Sequence, residues 1–522
     1  MYPLTDNPNE KSTGSLNFTV PTGFIVKASG RRQDQGESTS RFTVNNATFF
    51  SFIAGRYQVI HGKGSIPVTA YVLQNRPNLD KYLEMVSRTV HVLANEFGEF
   101  PSDEFAVTEI PSVQSRKAGF NGASLDGFMV TEGRSFDAVP DLVMASVSHE
   151  VAHQWWPHVV NFEPALSFLI EALAQYGSLR TIEILQGEKA AERYRRFGDP
   201  SYSLEFSGLG YLKMAAAGFD NSLLTKDANP AISQRLAYNK GFFVWDMLSR
   251  RIGRERFRQV LHTIIRRYPS KDMSWAEFKR TLEEQTGRNL KQCFFQWFER
   301  TGAPDFELSW NQRDDILTGS IKQARDVYQA EIEMVIEGEN NLRLMKTIEV
   351  FNERADFKFP VGFRVRSVVL DPQYKILRWT PEYSSLANEM VPLTRLQFNG
   401  ETNPDKINKT FAESLEGLPV PDIYGARFLI EYGWALTHFF GGSLDEVKNH
   451  CRLALLSPNR RLEILPDIYL LLAMAAKNSG DNSTRRWGAE SAITADLLYA
   501  GNSGVTETAR KLLFELNRSS KN

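Results

Sequence analysis

The sequence predicts a multidomain α+β chain: an N-terminal β-sheet domain, a mostly helical central domain, a small β-sandwich and a C-terminal α-helical domain. Three observations predict it. The hydrophobic period changes from strand-like to helical near residue 78, returns to strand-like after Pro304, and turns helical again from about residue 385. The length, 522 residues, corresponds to roughly three or four domains at about 150 residues each. Hydrophobic residues make up 42% of the chain, enough for several cores and too much for wholesale disorder.

Residues 1–75 read as the β domain. "LNFTVP" and "SRFTVNNATFFSF" alternate apolar and polar residues, and the charged stretch "SGRRQDQGESTS" reads as a loop between them. Residues 76–303 form the helical domain. "LDKYLEMVSRTVHVLANEFGEFP" carries apolar residues at helical spacing and stops at Gly98 and Pro101. Pro140 and Asp141 suit a first helical turn, one through its fixed φ and the other through its charge at the positive end of the dipole. That helix is expected to run to Trp156 and stop at Pro157. "PALSFLIEALAQYGSLRTIEIL" follows, with Leu166, Leu169, Ile170, Leu173 and Ala174 on one face. "SWAEFKRTLEEQTG" opens with a capping box, Ser274 to Glu277, and ends at Gly287. Residues 304–383 return to β structure. Ile332, Met334 and Ile336 alternate with polar residues, Gly338-Glu339-Asn340 supplies a turn, and "FKFPVGFRVRSVVLDP" continues the sheet. Residues 384–522 are helical, most clearly in "DIYLLLAMAAKNSGD" and "TETARKLLFEL", and suggest a repeat-like array of paired helices.

Charge excludes several classes of partner. Lys plus Arg number 61 and Asp plus Glu 62, so no basic excess points to nucleic acid and no basic amphipathic block points to a membrane surface. Cys293 and Cys451 are too few for a disulfide framework and read as buried free thiols. No run of about 18 apolar residues is long enough for a membrane span. The opening "MYPLTDNPNEKSTG" lacks the apolar core of a signal peptide. The chain as it stands is therefore expected to be soluble and cytoplasmic, or exported or periplasmic if an N-terminal segment is missing.

The chemistry concentrates in "VSHEVAHQWWPHVV", residues 147–160, which hold three of the eight histidines. On a helix, His149 and His153 stand one turn apart on one face and can offer two ring nitrogens to one ion. Glu150, about 100° round the helix, can reach a water at that ion without being a ligand. This is the physical content of an HExxH zinc motif. Zinc brings the pKa of a bound water to about 7, and the carboxylate can then take its proton. A catalytic zinc keeps three protein ligands, so one more is needed. The metzincin pattern fails, because Val159 stands where its third histidine belongs, Trp156 replaces its glycine and His158 is one place off. An acidic ligand from the next helix remains. Glu171, in the otherwise apolar "FLIEALAQY", must face something that offsets its desolvation. Glu163, between Pro157 and Pro164, is the competitor and reads as an exposed loop acid.

"HEVAHQWW" followed by "FLIEALAQY" resembles the aminopeptidase N type of zinc metallopeptidase, a gluzincin family. The resemblance implies that His149, His153 and Glu171 hold one zinc ion and that Glu150 is the general base. "YNKGFFVWDML" resembles the family's Tyr-x-Lys-Gly helix start, covering Tyr238, Lys240 and Gly241, and implies that Tyr238 stabilises the oxyanion. "FIAGRY", "QWFERTGAPDFEL" and "VVLDP" are similar to the family's domain junctions, and the helical tail to its last domain. The likeness implies a thermolysin-like catalytic domain behind a partial N-terminal β domain. Two departures bear on the site. Residues 154–170 separate the second histidine from Glu171, one fewer than the family's usual spacing. The family's Gly-x-Met-Glu-Asn strand is matched by "GASLDGF", where Gly122 and Ala123 fit, Asp126 replaces Asn and Leu125 replaces the Glu that grips a free amino terminus.

These features predict a zinc metallopeptidase acting on peptide substrates by metal-activated water. It is aminopeptidase-like, with free-terminus selectivity weakened by Leu125 unless Asp126 or Glu132 stands in. Trp155 and Trp156 are expected in the core and pocket wall. The rival from another class is a non-catalytic scaffold that keeps the fold and binds peptides or proteins through its helical tail. A lesser enzymatic rival hydrolyses a non-peptide bond.

Overall fold

Alternating apolar segments near the N-terminus pair into sheets, and the helical segments pack beside them. The computed structural model describes residues 11–47, 49–64, 66–118, 122–138, 140–163, 166, 168–198, 205–225, 229–269, 271–500 and 504–519. Residues 1–187 with 249–288 form one unit, and residues 188–248 with 289–522 another.

In the first unit, Ser12–Thr19, Thr39–Ala47 and Arg31–Gln35 form an antiparallel sheet in that order. The charged stretch expected to be a loop therefore contains a strand. Its hairpin closes where the Gly36 amide donates to the Thr39 carbonyl at 2.9 Å. At Gly30, with φ +84°, a Cβ would lie 2.2 Å from the Thr43 carbonyl oxygen, so only glycine admits this approach. Ile25–Ala28 pairs with Phe52–Gly55.

A five-stranded sheet follows, ordered Gln58–His61, Val68–Val72, Phe105–Ile110, Phe128–Glu132, Gly122–Leu125. Its middle three strands are parallel and its two edge strands antiparallel to their neighbours. Its first two strands come from the segment that the sequence pattern groups with the N-terminal β structure. Leu79–Phe97 is helical as its spacing predicts and stops at Gly98. The capping box at Ser274 and Glu277 opens the helix Trp275–Thr286, and Gly287 closes it with a left-handed φ of 65°.

The histidine helix spans Pro140–Ala152, shorter than the expected run to Trp156. The amides of Gln154 and Trp155 turn to the carbonyls three residues back, Val151 and Ala152, at 3.0 and 3.1 Å. Such tightening satisfies the last carbonyls and ends the helix early. His153 still donates its amide to the His149 carbonyl at 3.3 Å, so the one-turn relation of the two histidines survives.

In the second unit, Asn229 caps a helix that begins at Pro230 and passes through a π-helical turn, Ala237–Gly241, before Phe242–Ile252. Tyr238 therefore lies inside a helical run, not at its start, because the Asn-Pro pair nucleates the helix earlier. Two three-stranded antiparallel sheets follow: Phe306–Arg313, Ile316–Gln323, Arg354–Pro360, and Arg343–Val350, Ala330–Gly338, Val365–Leu370. The turn joining Ala330–Gly338 to Arg343–Val350 centres on Asn340 and Asn341, with φ 53° and 60°, so Gly338 belongs to its strand. Two left-handed central residues match the twist of a hairpin. From Pro381 onward the elements are helices, and from Ala426 the successive helices pack pairwise. Cys293 and Cys451 are buried free thiols.

Candidate metal centre

Two crossing helices build the centre. Pro140–Ala152 carries His149 and Glu150 and leads directly into His153. Phe168–Leu185 carries Glu171 in its first turn. Gly177 permits the close crossing: a Cβ there would stand 3.0 Å from Ala152 Cβ and 3.2 Å from Leu93 and Phe97 side-chain atoms. The Ser178 hydroxyl donates to the Ala145 carbonyl at 2.8 Å, tying the two helices together. Arg180 forms a two-point ion pair with Glu96 on Leu79–Phe97, both bonds 3.1 Å, with both side chains nearly buried.

Three donor atoms converge. His149 Nε2 lies 3.1 Å from Glu171 Oε2 and 3.1 Å from His153 Nε2, and His153 Nε2 lies 3.5 Å from Glu171 Oε2. Tetrahedral zinc, with bonds of about 2.0–2.1 Å, requires donor–donor gaps of about 3.3 Å. The spacing and the two-imidazole, one-carboxylate chemistry fit that ion. His153 Nδ1 sits 2.6 Å from the Trp156 carbonyl oxygen and donates to it, which leaves the Nε2 lone pair pointing at the centre. Burial raises the Glu171 carboxyl, but His153 and His149 outweigh it and hold the group well below the usual carboxylate range. Burial lowers His153, and Glu171 opposes this strongly enough to bring it to about 9.

The competing acid is engaged elsewhere, and the neighbouring histidine lies outside the cluster. Glu163 Oε1 accepts from the Trp275 amide at 3.3 Å, at the start of the capped helix. His158 is not among the converging donors, and its carbonyl accepts from Lys11 Nζ at 2.7 Å. Trp155 and Trp156 are fully buried in the core. The Trp155 indole donates to the carbonyls of Gly98 and Glu99 at 3.1 Å, anchoring the end of the histidine helix.

Beside the donors lies the edge strand Gly122–Leu125. A Cβ on Gly122 would stand 3.8 Å from Glu150 Oε1, so the strand backbone runs against this carboxylate. Gln154 holds the strand. Its Nε2 donates to Ser124 Oγ at 2.8 Å and the Leu125 carbonyl at 2.9 Å, and its Oε1 accepts from the Gly127 amide at 3.0 Å. Sequence reasoning missed this brace, although Gln154 directly follows the motif. Gly122 and Ser124 thus face the histidine helix. Ala123 and Leu125 alternate to the other side and pack against Tyr71, Ala106, Ile110, Phe128 and Val130.

Neither proposed substitute for the missing glutamate is free. Burial raises the Asp126 carboxyl, while Lys11 and Lys27 pull it down, so cations already face it. Glu132 accepts from Ser115 Oγ at 2.5 Å and pairs with Arg134 at 2.8 Å. Tyr238 belongs to the second unit, where its hydroxyl accepts from Gln234 Nε2 at 3.0 Å and its ring meets Phe206 edge-on. Lys240 is buried, donates to the Arg300 carbonyl at 3.1 Å and is lowered by burial to about 8.

With the site built, comparison defines the class. Residues 126–297, about a third of the chain, match the peptidase family M1 domain. Among its relatives is aminopeptidase M1-B of Oryza sativa subsp. japonica, 29% identical over 330 residues, which are 58% of this chain and 36% of that protein. Aminopeptidase N of Lactococcus lactis subsp. lactis is 23% identical over 363 residues, 62% of this chain and 40% of that protein. The chain spans well under half the length of these curated relatives. The crystal structure of Legionella pneumophila aminopeptidase A in complex with aspartic acid shares the fold with a TM-score of 0.58 and 14% identity. That likeness covers 97% of this chain and 66% of that one. No helix among the described residues is long and apolar enough to cross a membrane.

Proposed function

We propose that this chain is a zinc-dependent metallopeptidase that hydrolyses peptide bonds, with weak selectivity for a free amino terminus. The observation that carries it is the convergence of His149, His153 and Glu171 at tetrahedral spacing, with Glu150 beside them against the Gly122–Leu125 strand. Zinc bound by these three residues would acidify a water and polarise the scissile carbonyl. Glu150 takes the proton of the attacking water on its carboxylate and returns it to the leaving amine nitrogen. The strand backbone orients the peptide, held in register by Gln154. The resemblance assigns oxyanion stabilisation to Tyr238. Leu125 turns to an apolar cluster, and Asp126 and Glu132 have cationic neighbours, so a substrate ammonium group finds no acid at these three positions.

Metal analysis of two variants tests the centre. Glu171→Ala is expected to lose the zinc bound between the two helices, and Glu163→Ala to keep it. Equal zinc content in the two variants would overturn the ligand set.

A further inference from the structure

The helical tail brings together a second set of the same donor types. His438 lies in the last turn of Ala426–Gly441. After Gly442, with a left-handed φ of 82°, the chain enters Leu444–Leu456, where Glu446 and His450 stand one turn apart on one face. One ring nitrogen of each histidine and a carboxylate oxygen of Glu446 all lie within 4.8 Å of one another.

The surroundings orient these donors. His450 is nearly buried, and its Nδ1 lies 2.7 Å from Oε2 of Glu431, whose side chain is 4% exposed. A carboxylate accepting from Nδ1–H fixes the tautomer in which Nε2 keeps its lone pair, the arrangement found behind metal-ligating histidines. That Nε2 is 3.8 Å from Glu446 Oε2. Trp434 stacks on the His450 ring at 4.0 Å, and its own indole is fixed by donating to Asn408 Oδ1 at 2.9 Å. The His438 ring lies parallel to that of His450, with centroids 5.4 Å apart. Glu446 also accepts from Asn449 Nδ2 at 3.4 Å. Its side chain is 54% exposed, so water can supply further ligands. A buried His450–Glu431 pair alone would account for Nδ1. It would not account for Glu446 at the Nε2 end of the ring or for His438 stacked beside it.

We propose that His438, Glu446 and His450 form a second divalent-cation site, suited to zinc by its two imidazoles and one carboxylate, with Glu431 as a positioning residue. The ion would join the end of one tail helix to the face of the next.

The test uses the full chain, stripped with a chelator and retitrated with zinc chloride, with zinc counted per chain. The parent should bind two zinc ions. His438→Ala, at a half-buried position, and Glu446→Gln, at an exposed one, should each bind one. Glu431→Gln should keep the second site but weaken it about 10–100-fold, the usual effect of losing such a partner. Glu171→Ala should bind one zinc, and adding His438→Ala to it should leave none. A His438→Ala chain that binds as much zinc as the parent, or a Glu171→Ala chain that binds none, overturns the tail site. Full zinc content in Glu171→Ala with one ion lost in His438→Ala would instead uphold the tail site and overturn the proposed catalytic centre.

Discussion

The two histidine clusters offer one ion the same donors, two imidazoles and a carboxylate, yet their surroundings differ in ways that separate chemistry from structure. At His149, His153 and Glu171 the donors stand 3.1–3.5 Å apart, and the helices carrying them are locked by Gly177, Ser178 and Arg180. An extra carboxylate, Glu150, faces a strand edge. At His438, Glu446 and His450 the spacing is looser, Glu446 is open to water, and the extra carboxylate, Glu431, is committed to His450 Nδ1. Donor identity selects the metal. A carboxylate left over and aimed at a substrate-sized edge is what allows acid–base chemistry, and only the first cluster has it in that position.

The largest expected effect breaks this contrast at Glu150. Glu150→Gln should keep zinc in the first centre and lose about 10²–10⁴ in peptidase rate, the usual worth of general base catalysis. Retained turnover would remove the chemical distinction between the clusters. Tyr238→Phe comes next. If the role assigned by resemblance holds, zinc content stays and the rate falls by about 10²–10³, as for one oxyanion donor. An unchanged rate would move that role elsewhere.

Gly177 sharpens the contrast in rigidity. Gly177→Ala must wedge a methyl between Ala152, Leu93 and Phe97, and should lower stability by about 1–3 kcal/mol, as overpacking does. Thermal unfolding would show this, and zinc titration should find the first centre weakened and the tail site unchanged. Weakening of both sites alike would mean that helix crossing is not what distinguishes them. The smallest difference is expected between substrates. A peptide with a free amino terminus and its N-acetylated form should be cleaved at rates within about tenfold, a difference of about 1.4 kcal/mol. Strictly stepwise release of N-terminal residues, with the acetylated peptide untouched, would reveal an acid that replaces the one lost at Leu125.

The sequence by itself determined features whose partners lie within a turn or two of helix. His149 and His153 share a face because four residues make about one turn. Ser274 and Glu277 cap their helix, and Gly98 and Gly287 end theirs, because these are bonds and torsions of neighbouring residues. The alternation around Ile332 likewise reads directly as a strand. Where local signals competed, the reading failed. A charged stretch hid the strand Arg31–Gln35, and Asn229-Pro230 began a helix well before Tyr238. Tertiary structure alone decided which side Leu125 faces, that Gln154 braces the strand, and that Glu171 reaches the histidines from another helix. It alone also brought His438 across a turn to His450. None of these follows from spacing, because each depends on how closely two elements approach, and that distance is set by residues other than the groups brought together, as Gly177 and Arg180 do for Glu171 and the histidines.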